Sequence, residues 1–145
     1  MYSYQYPRPA LTADSVILAP DAEGGYRVLL IRRGNDPFKG MWALPGGFMD
    51  MDETLEQCAR RELKEETGVD APDRFEELGS FSTVDRDPRG RTVTVAFLAV
   101  IPMAEARGGD DAADAQWFPL NALPPLAFDH DEIVNRATRR LGGMQ

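Results

Sequence analysis

With 145 residues, 43% of them hydrophobic, the chain suits one domain (1–145) with a real core. Its net charge of −8 disfavours DNA or other nucleic acid as a non-specific partner, yet it leaves room for a small anionic substrate if a metal supplies local positive charge. The single cysteine, Cys58, cannot form an internal disulfide and makes a reducing cytoplasm the simplest compartment; no apolar run reaches membrane-spanning length, and the N-terminus lacks the form of a signal peptide.

Tyr2, Tyr4 and Tyr6 alternate ahead of Pro7 and Pro9, which predicts an extended arm with one aromatic face. Such an arm suits packing on its own domain, a dimer contact or adenine stacking. Thr12 to Ala19 reads as a strand, 21–25 as a turn, and Tyr26 to Arg33 as the second strand of a hairpin. Arg32 and Arg33 end that strand as candidate phosphate ligands. Trp42 to Phe48 predicts a short strand entering a glycine turn, irregular because Pro45 has no ladder donor. Gly46 and Gly47 permit close approach to a metal or a phosphate.

Residues 47–69 form the densest chemical pattern. A glycine turn leads through an acidic loop into an amphipathic helix that closes on Gly68. Acids crowd the helix C-terminal end, against the macrodipole. At about 100° per residue, Glu62, Glu65 and Glu66 share one arc of roughly 100°, on the side of Leu55, Cys58 and Ala59. Three inward carboxylates need a cation, and oxygen-only ligands suit Mg²⁺ or Mn²⁺.

Beyond the helix, a strand is predicted around Leu78 to Thr83, then a charged loop from Asp85 to Arg91, then the β-branched strand Thr92 to Ile101. An acidic run, 110–114, precedes a short strand at Gln116 to Leu120. Asp129 is a good N-cap for a C-terminal helix with Ile133, Val134, Ala137 and Leu141 as its apolar stripe. Pattern alone yields an α+β domain.

The 47–69 stretch resembles the Nudix box, G-x5-E-x7-R-E-U-x-E-E-x-G-U, with U an aliphatic residue. Gly47, Glu53, Arg61, Glu62, Leu63, Glu65, Glu66, Gly68 and Val69 meet every fixed position. The resemblance implies the Nudix fold, a mixed β-sheet sandwiched between α-helices. It also implies Mg²⁺-dependent (or Mn²⁺-dependent) hydrolysis of a nucleoside diphosphate linked to another group X. By that correspondence the Gly46 carbonyl, Glu62, Glu65 and Glu66 hold metal, and Arg61 pairs with Glu53 to orient the loop. The general base is then Glu62 or Glu65, or an acid of a distant loop, for which Asp110, Asp111 and Asp114 qualify.

Segments 6–14, 85–91 and 126–130 are similar to the ADP-ribose pyrophosphatase branch, although Pro88 lies slightly farther beyond the box than that branch usually places a proline. The branch implies ADP-ribose split into AMP and ribose 5-phosphate, with Arg86, Arg89, Arg91 and His130 as candidate substrate contacts. It also leaves a homodimer open. The alternatives are a (d)NTP pyrophosphohydrolase and a non-catalytic ADP-ribose-sensing domain, which would be expected to carry a damaged box and a DNA-binding extension.

Overall fold

The architecture turns on one long strand that changes partners along its length. The computed structural model describes residues 2–109 and 112–143. Strand β1 (Ala10–Pro20) pairs antiparallel with β2 (Tyr26–Arg33) near the hairpin, from Leu18↔Val28 to Pro20↔Tyr26. Farther back it pairs with β4 (Gly46–Phe48), from Thr12↔Phe48 to Asp14↔Gly46. Meanwhile β2 takes up β3 (Trp42–Ala43) through Ile31↔Ala43 and Arg32↔Trp42. The sheet therefore forks, and Leu44-Pro45 spans the fork with the Pro45 carbonyl accepting from the Ser15 amide at 2.9 Å. Pro45 falls between the two short strands, so its missing donor is not needed by either ladder.

The other edge of β1 runs parallel to β6 (Thr92–Val100), in register from Ala10↔Thr92 to Leu18↔Val100. Strand β5 (Glu76–Phe81) flanks β6, with a register shift between Glu77 and Gly79. Strand β7 (Ala112–Pro119) flanks β2 from Arg27↔Pro119 to Arg33↔Ala112. It begins four residues earlier than the predicted Gln116 start. The ladder offered by β2 outweighs the poor strand propensity of Asp114.

Two helices cover the sheet. Alternation along β1 sends Ala13 and Ile17 to one core with Cys58, Ala59 and Leu63 of α1 (Leu55–Thr67). Val16 and Leu18 go to the opposite core with Ile133, Val134 and Ala137 of α2 (His130–Gly143). This is the mixed sheet between helices that the resemblance implied. Helix α1 opens with a capping box, Thr54 and Gln57 each bonding the other's backbone amide, and ends on Gly68 at φ 77°. Among the described residues no helix is long and apolar enough to cross a membrane.

The tyrosine arm does not pack on the domain. Tyr2 and Tyr6 are 69% and 72% exposed; Tyr2 stacks on Tyr4, and the Arg8 guanidinium lies 3.8 Å from the centre of the Tyr4 ring.

Candidate active site

Where the sheet forks, a cavity of about 400 Å³ opens between β1, β2, β4, α1 and the loops before β6 and α2. Its lining includes Gly46, Gly47, Arg61, Glu62, Glu66, Arg33, Arg86, Arg89 and His130 among the residues expected from sequence. It also includes Asp14, Phe48, Asp87 and Phe128, which were not expected.

The acidic wall is built by α1 and the glycine turn. Glu66 is 7% exposed, and its Oε1 accepts from the Gly46 amide at 2.8 Å. Burial pushes its carboxyl up to about 8, and the charges of Glu62 and Asp14 push the same way. Burial also raises Glu62, outweighing the hydrogen bond from Arg61 Nη1 at 2.8 Å. Both glycines are closely approached, Gly46 by backbone and Gly47 by the end of a side chain. A Cβ on Gly47 would stand 2.6 Å from the Glu62 carboxyl carbon, and one on Gly46 would run into Asp14 and the Ala13 carbonyl.

Arg61 ties this wall to the acidic loop. Its Nε and Nη2 donate to Glu53 at 2.9 and 2.7 Å, a bidentate grip that holds the Glu53 carboxyl down to about 2. Glu53 Oε1 also accepts from the Asp50 amide, so the loop is closed from both sides. Glu53 does not line the cavity, and its place is that of a latch. Glu65 corrects the helical-arc argument: it lies at the rim of the arc, its side chain is 41% exposed, and it bonds Arg61 rather than facing the cavity. Cys58, buried with its thiol pushed up to about 12 by burial, donates to the Gly47 carbonyl and is a core residue, not a nucleophile.

Cations and aromatic rings share the cavity lining with the acids. Arg33 donates from Nε to the Pro37 carbonyl at 2.7 Å and lies 5.0 Å from the centre of Phe128. Burial and neighbouring Arg89 lower its pKa. Arg86 lines the cavity but is engaged: its Nε and Nη2 donate to Asp129 at 2.9 and 2.7 Å. Asp129 thus stands at the predicted cap position and its carbonyl accepts from Glu132, but its carboxylate grips Arg86 instead of capping the helix. Arg32 and Arg91 are corrections. Arg32, one residue from Arg33, points to the other face of β2 and is exposed, as alternation requires. Arg91 is exposed just before β6, offering its carbonyl to the Ala10 amide, and does not line the cavity.

His130 is 4% exposed, and its Nδ1 accepts from the Leu44 amide at 2.9 Å. Burial lowers its pKa, so the imidazole is neutral with its proton on Nε2, 3.7 Å from Asp14 Oδ2. That oxygen also accepts from Thr94 Oγ1 at 2.6 Å. Asp14 and Asp87 are the buried acids of the lining that sequence reasoning missed. The signal for Asp14 was an acid-serine pair directly ahead of the apolar run Val16 to Ala19 within one strand.

Of the loop acids considered as base, Asp114 lies within β7, bonds the Ala115 amide and Gln116, and does not reach the cavity. Asp110 and Asp111 lie outside the described residues. Among the described residues no three His, Cys, Asp or Glu side chains form a ready metal cage. The donors nevertheless suit a hard divalent cation: two mutually repelling carboxylates, half-buried Glu62 and buried Glu66, beside a glycine turn that no side chain obstructs.

Comparison with known proteins agrees with this geometry. The NUDIX domain family matches residues 9–137. An ADP-ribose pyrophosphatase of Methanocaldococcus jannaschii is 44% identical over 138 residues, 95% of this chain and 78% of that enzyme. The ADPR responsive transcriptional repressor NtrR of Acinetobacter baylyi is 42% identical over 94% of this chain, which spans 56% of the repressor. The NUDIX domain of Shewanella oneidensis NrtR complexed with ADP ribose superposes with a TM-score of 0.88 at 38% identity, covering 94% of this chain and 90% of that one. The chain belongs to the NUDIX domain family and is a Nudix hydrolase.

Proposed function

We propose that the protein hydrolyses ADP-ribose to AMP and ribose 5-phosphate, with Mg²⁺ as its metal. The observation that carries this reading is one cavity lined both by buried carboxylates and by the guanidinium groups of Arg33 and Arg89. The 44% identity to an ADP-ribose pyrophosphatase supports the substrate. Glu62, Glu66 and the Gly46 carbonyl would hold the metal. When bound, a divalent cation neutralises diphosphate oxygens and lowers the pKa of a water. The Gly46 amide fixes one Glu66 oxygen and so orients the other. Arg61 sets Glu62, and the Glu53 latch sets Arg61. Arg33 and Arg89 face the negative charge of the diphosphate. Glu62 is our choice of general base, because it lines the cavity and its pKa is raised toward the working range.

The test is a substrate panel with Mg²⁺: ADP-ribose, NADH, diadenosine polyphosphates, dNTPs and 8-oxo-dGTP. ADP-ribose should show the highest kcat/KM. Turnover no better than that of the dNTPs would sink the reading in favour of nucleotide-pool cleaning. The kinship to ADP-ribose-binding repressors favours a second outcome, tight ADP-ribose binding with no turnover, which would assign a sensing role.

A further inference from the structure

Leu44 and Pro45 span the fork between β3 and β4, and neither belongs to a named strand. Pro45 has no amide to place. The Leu44 amide is buried, and its side chain sits in the core beneath α2. A buried donor left without a partner is costly. Its partner here is a side chain 86 positions away, His130 Nδ1, at 2.9 Å. Just upstream the Trp42 carbonyl accepts from the Ala127 amide at 2.8 Å. Residues 42–44 are thus docked on the start of α2. An amide N–H can only donate, so Nδ1 is the unprotonated nitrogen and Nε2 carries the hydrogen. While this bond stands, the imidazole has no lone pair left to act as a base.

Two residues on, Gly46 stands opposite Asp14 in the β1–β4 ladder. The bonds to β1 are made at Pro45 and Met49, so alternation turns both the amide and the carbonyl of Gly46 away from β1. That amide reaches Glu66 at 2.8 Å, which puts the carbonyl on the side of the box acids. The proline ring fixes φ at Pro45 and makes the step from Leu44 to Gly46 stiff. Asp14 fills the angle between the two ends. Its Oδ2 lies 3.7 Å from His130 Nε2 and accepts from Thr94 Oγ1 at 2.6 Å. Its Oδ1 is packed against Gly46, where it leaves no room for a Cβ.

We propose that His130, braced by Asp14 and Thr94, is a positioning residue: it fixes the Leu44–Gly46 span and, through it, the Gly46 carbonyl that would hold the metal. This rests on the reading of the cavity as a metal-dependent hydrolase site. It gives His130 a task other than the substrate contact expected from sequence. The bond also joins the two layers. Helix α2 packs on the face of the sheet opposite α1, and its first residue carries its position to the acidic wall. Groups that orient the holders of a metal govern its affinity although they never touch it.

The probe is Mn²⁺, its equilibrium binding followed by electron paramagnetic resonance, beside steady-state kinetics on ADP-ribose at saturating Mn²⁺. The proteins are the wild type, His130→Leu, His130→Asn and Thr94→Val. Leu removes the acceptor and keeps bulk, whereas Asn offers a carboxamide oxygen near the place of Nδ1. His130→Leu should weaken Mn²⁺ and lower kcat by about tenfold or more. Its KM for ADP-ribose should stay within about twofold. His130→Asn should recover Mn²⁺ affinity to within about threefold of wild type. Thr94→Val, outside the cavity lining, should weaken Mn²⁺ about threefold by freeing Asp14. A support of the fold alone would lower Tm and leave the Mn²⁺ affinity of folded His130→Leu unchanged, and that result overturns the proposal. A higher KM with kcat kept also overturns it, making His130 a substrate contact, as does His130→Asn binding no better than His130→Leu. If His130→Leu does not fold, Thr94→Val decides, and unchanged Mn²⁺ affinity there overturns the brace. A wild type that neither binds Mn²⁺ nor turns over ADP-ribose fails the metal reading and the proposal with it. A wild type that binds Mn²⁺ no better than its variants do fails the proposal alone.

Discussion

Glu66 is the residue on which the site and its stability meet. Burial lifts it from the ordinary carboxylate range to about 8, so folding favours its protonated form. Without metal, the native state keeps a proton that the unfolded chain has released. Stability is therefore highest below about pH 4.5 for this group and falls as pH climbs toward 8, by an amount on the order of a few kcal/mol at most. We predict that the Tm of metal-free protein drops between pH 5.5 and 8, and that Glu66→Gln flattens the drop. The same variant should lose at least roughly a hundredfold in kcat with its fold intact, as expected for loss of a metal-charge contact. A slope unchanged by the substitution in thermal melts would remove Glu66 from this role. Residue-level reading of the sequence found Glu66 because its neighbours in the box lie within 23 contiguous residues. It did not find Asp14, whose approach to Glu66 depends on pairing between β1 and β4. It placed Glu65 inward because the arc was drawn from the acids, while the buried residues Ala59, Leu63 and Thr67 centre the inward face farther round the helix.

At the scale of elements, the turn and the helix start do different work. The Gly46-Gly47 turn leaves Glu62 room at its tip, and an added methyl at Gly47 meets the flexible end of a side chain. Gly47→Ala should therefore fold normally, with Tm within about 2 °C of wild type, yet lose roughly a hundredfold in kcat/KM by displacing the carboxylate. Retained activity in steady-state kinetics would show that Glu62 need not stay where it is. The start of α2 is a junction instead. Asp129 is 14% exposed at its side chain and meets an Arg86 that is 4% exposed. Asp129→Asn would remove the counter-charge bonded to that buried guanidinium and leave only the more distant Asp14 and Asp87, costing about 3 kcal/mol. A calorimetric Tm lower by about 10 °C is expected, and a shift under 2 °C would mean Arg86 finds water instead. The loop carrying Arg86, Arg89 and Arg91 shows where sequence stops being informative. All three arginines look alike in the chain. Their fates are set by Asp129, by Asp87 and by the β6 ladder, none of which loop composition reveals.

For the whole molecule, the layered fold was legible from the box resemblance and from strand periodicity. The fork in the sheet was not, because short strands of two and three residues carry no period. The arm bearing Tyr2, Tyr4 and Tyr6 stands away from the domain it precedes. Deleting residues 2–7 should leave the Tm of dilute protein within about 2 °C, since little burial is lost. A larger fall, or one that depends on protein concentration in sedimentation and melting runs, would identify the arm as a contact between copies.

The parallel pairing of β1 with β6 has a consequence in time. Thr94 and Asp14 are 80 positions apart and meet only when that ladder closes. Closing so long a loop belongs to the slow, non-local part of folding. The cavity lining runs from Thr12 to His130, with Asp14 set by that ladder, so no nascent chain that ends before α2 can present the complete site. Capacity to bind substrate is thus acquired late in synthesis, after the box itself has emerged, and it reports completion of the sheet.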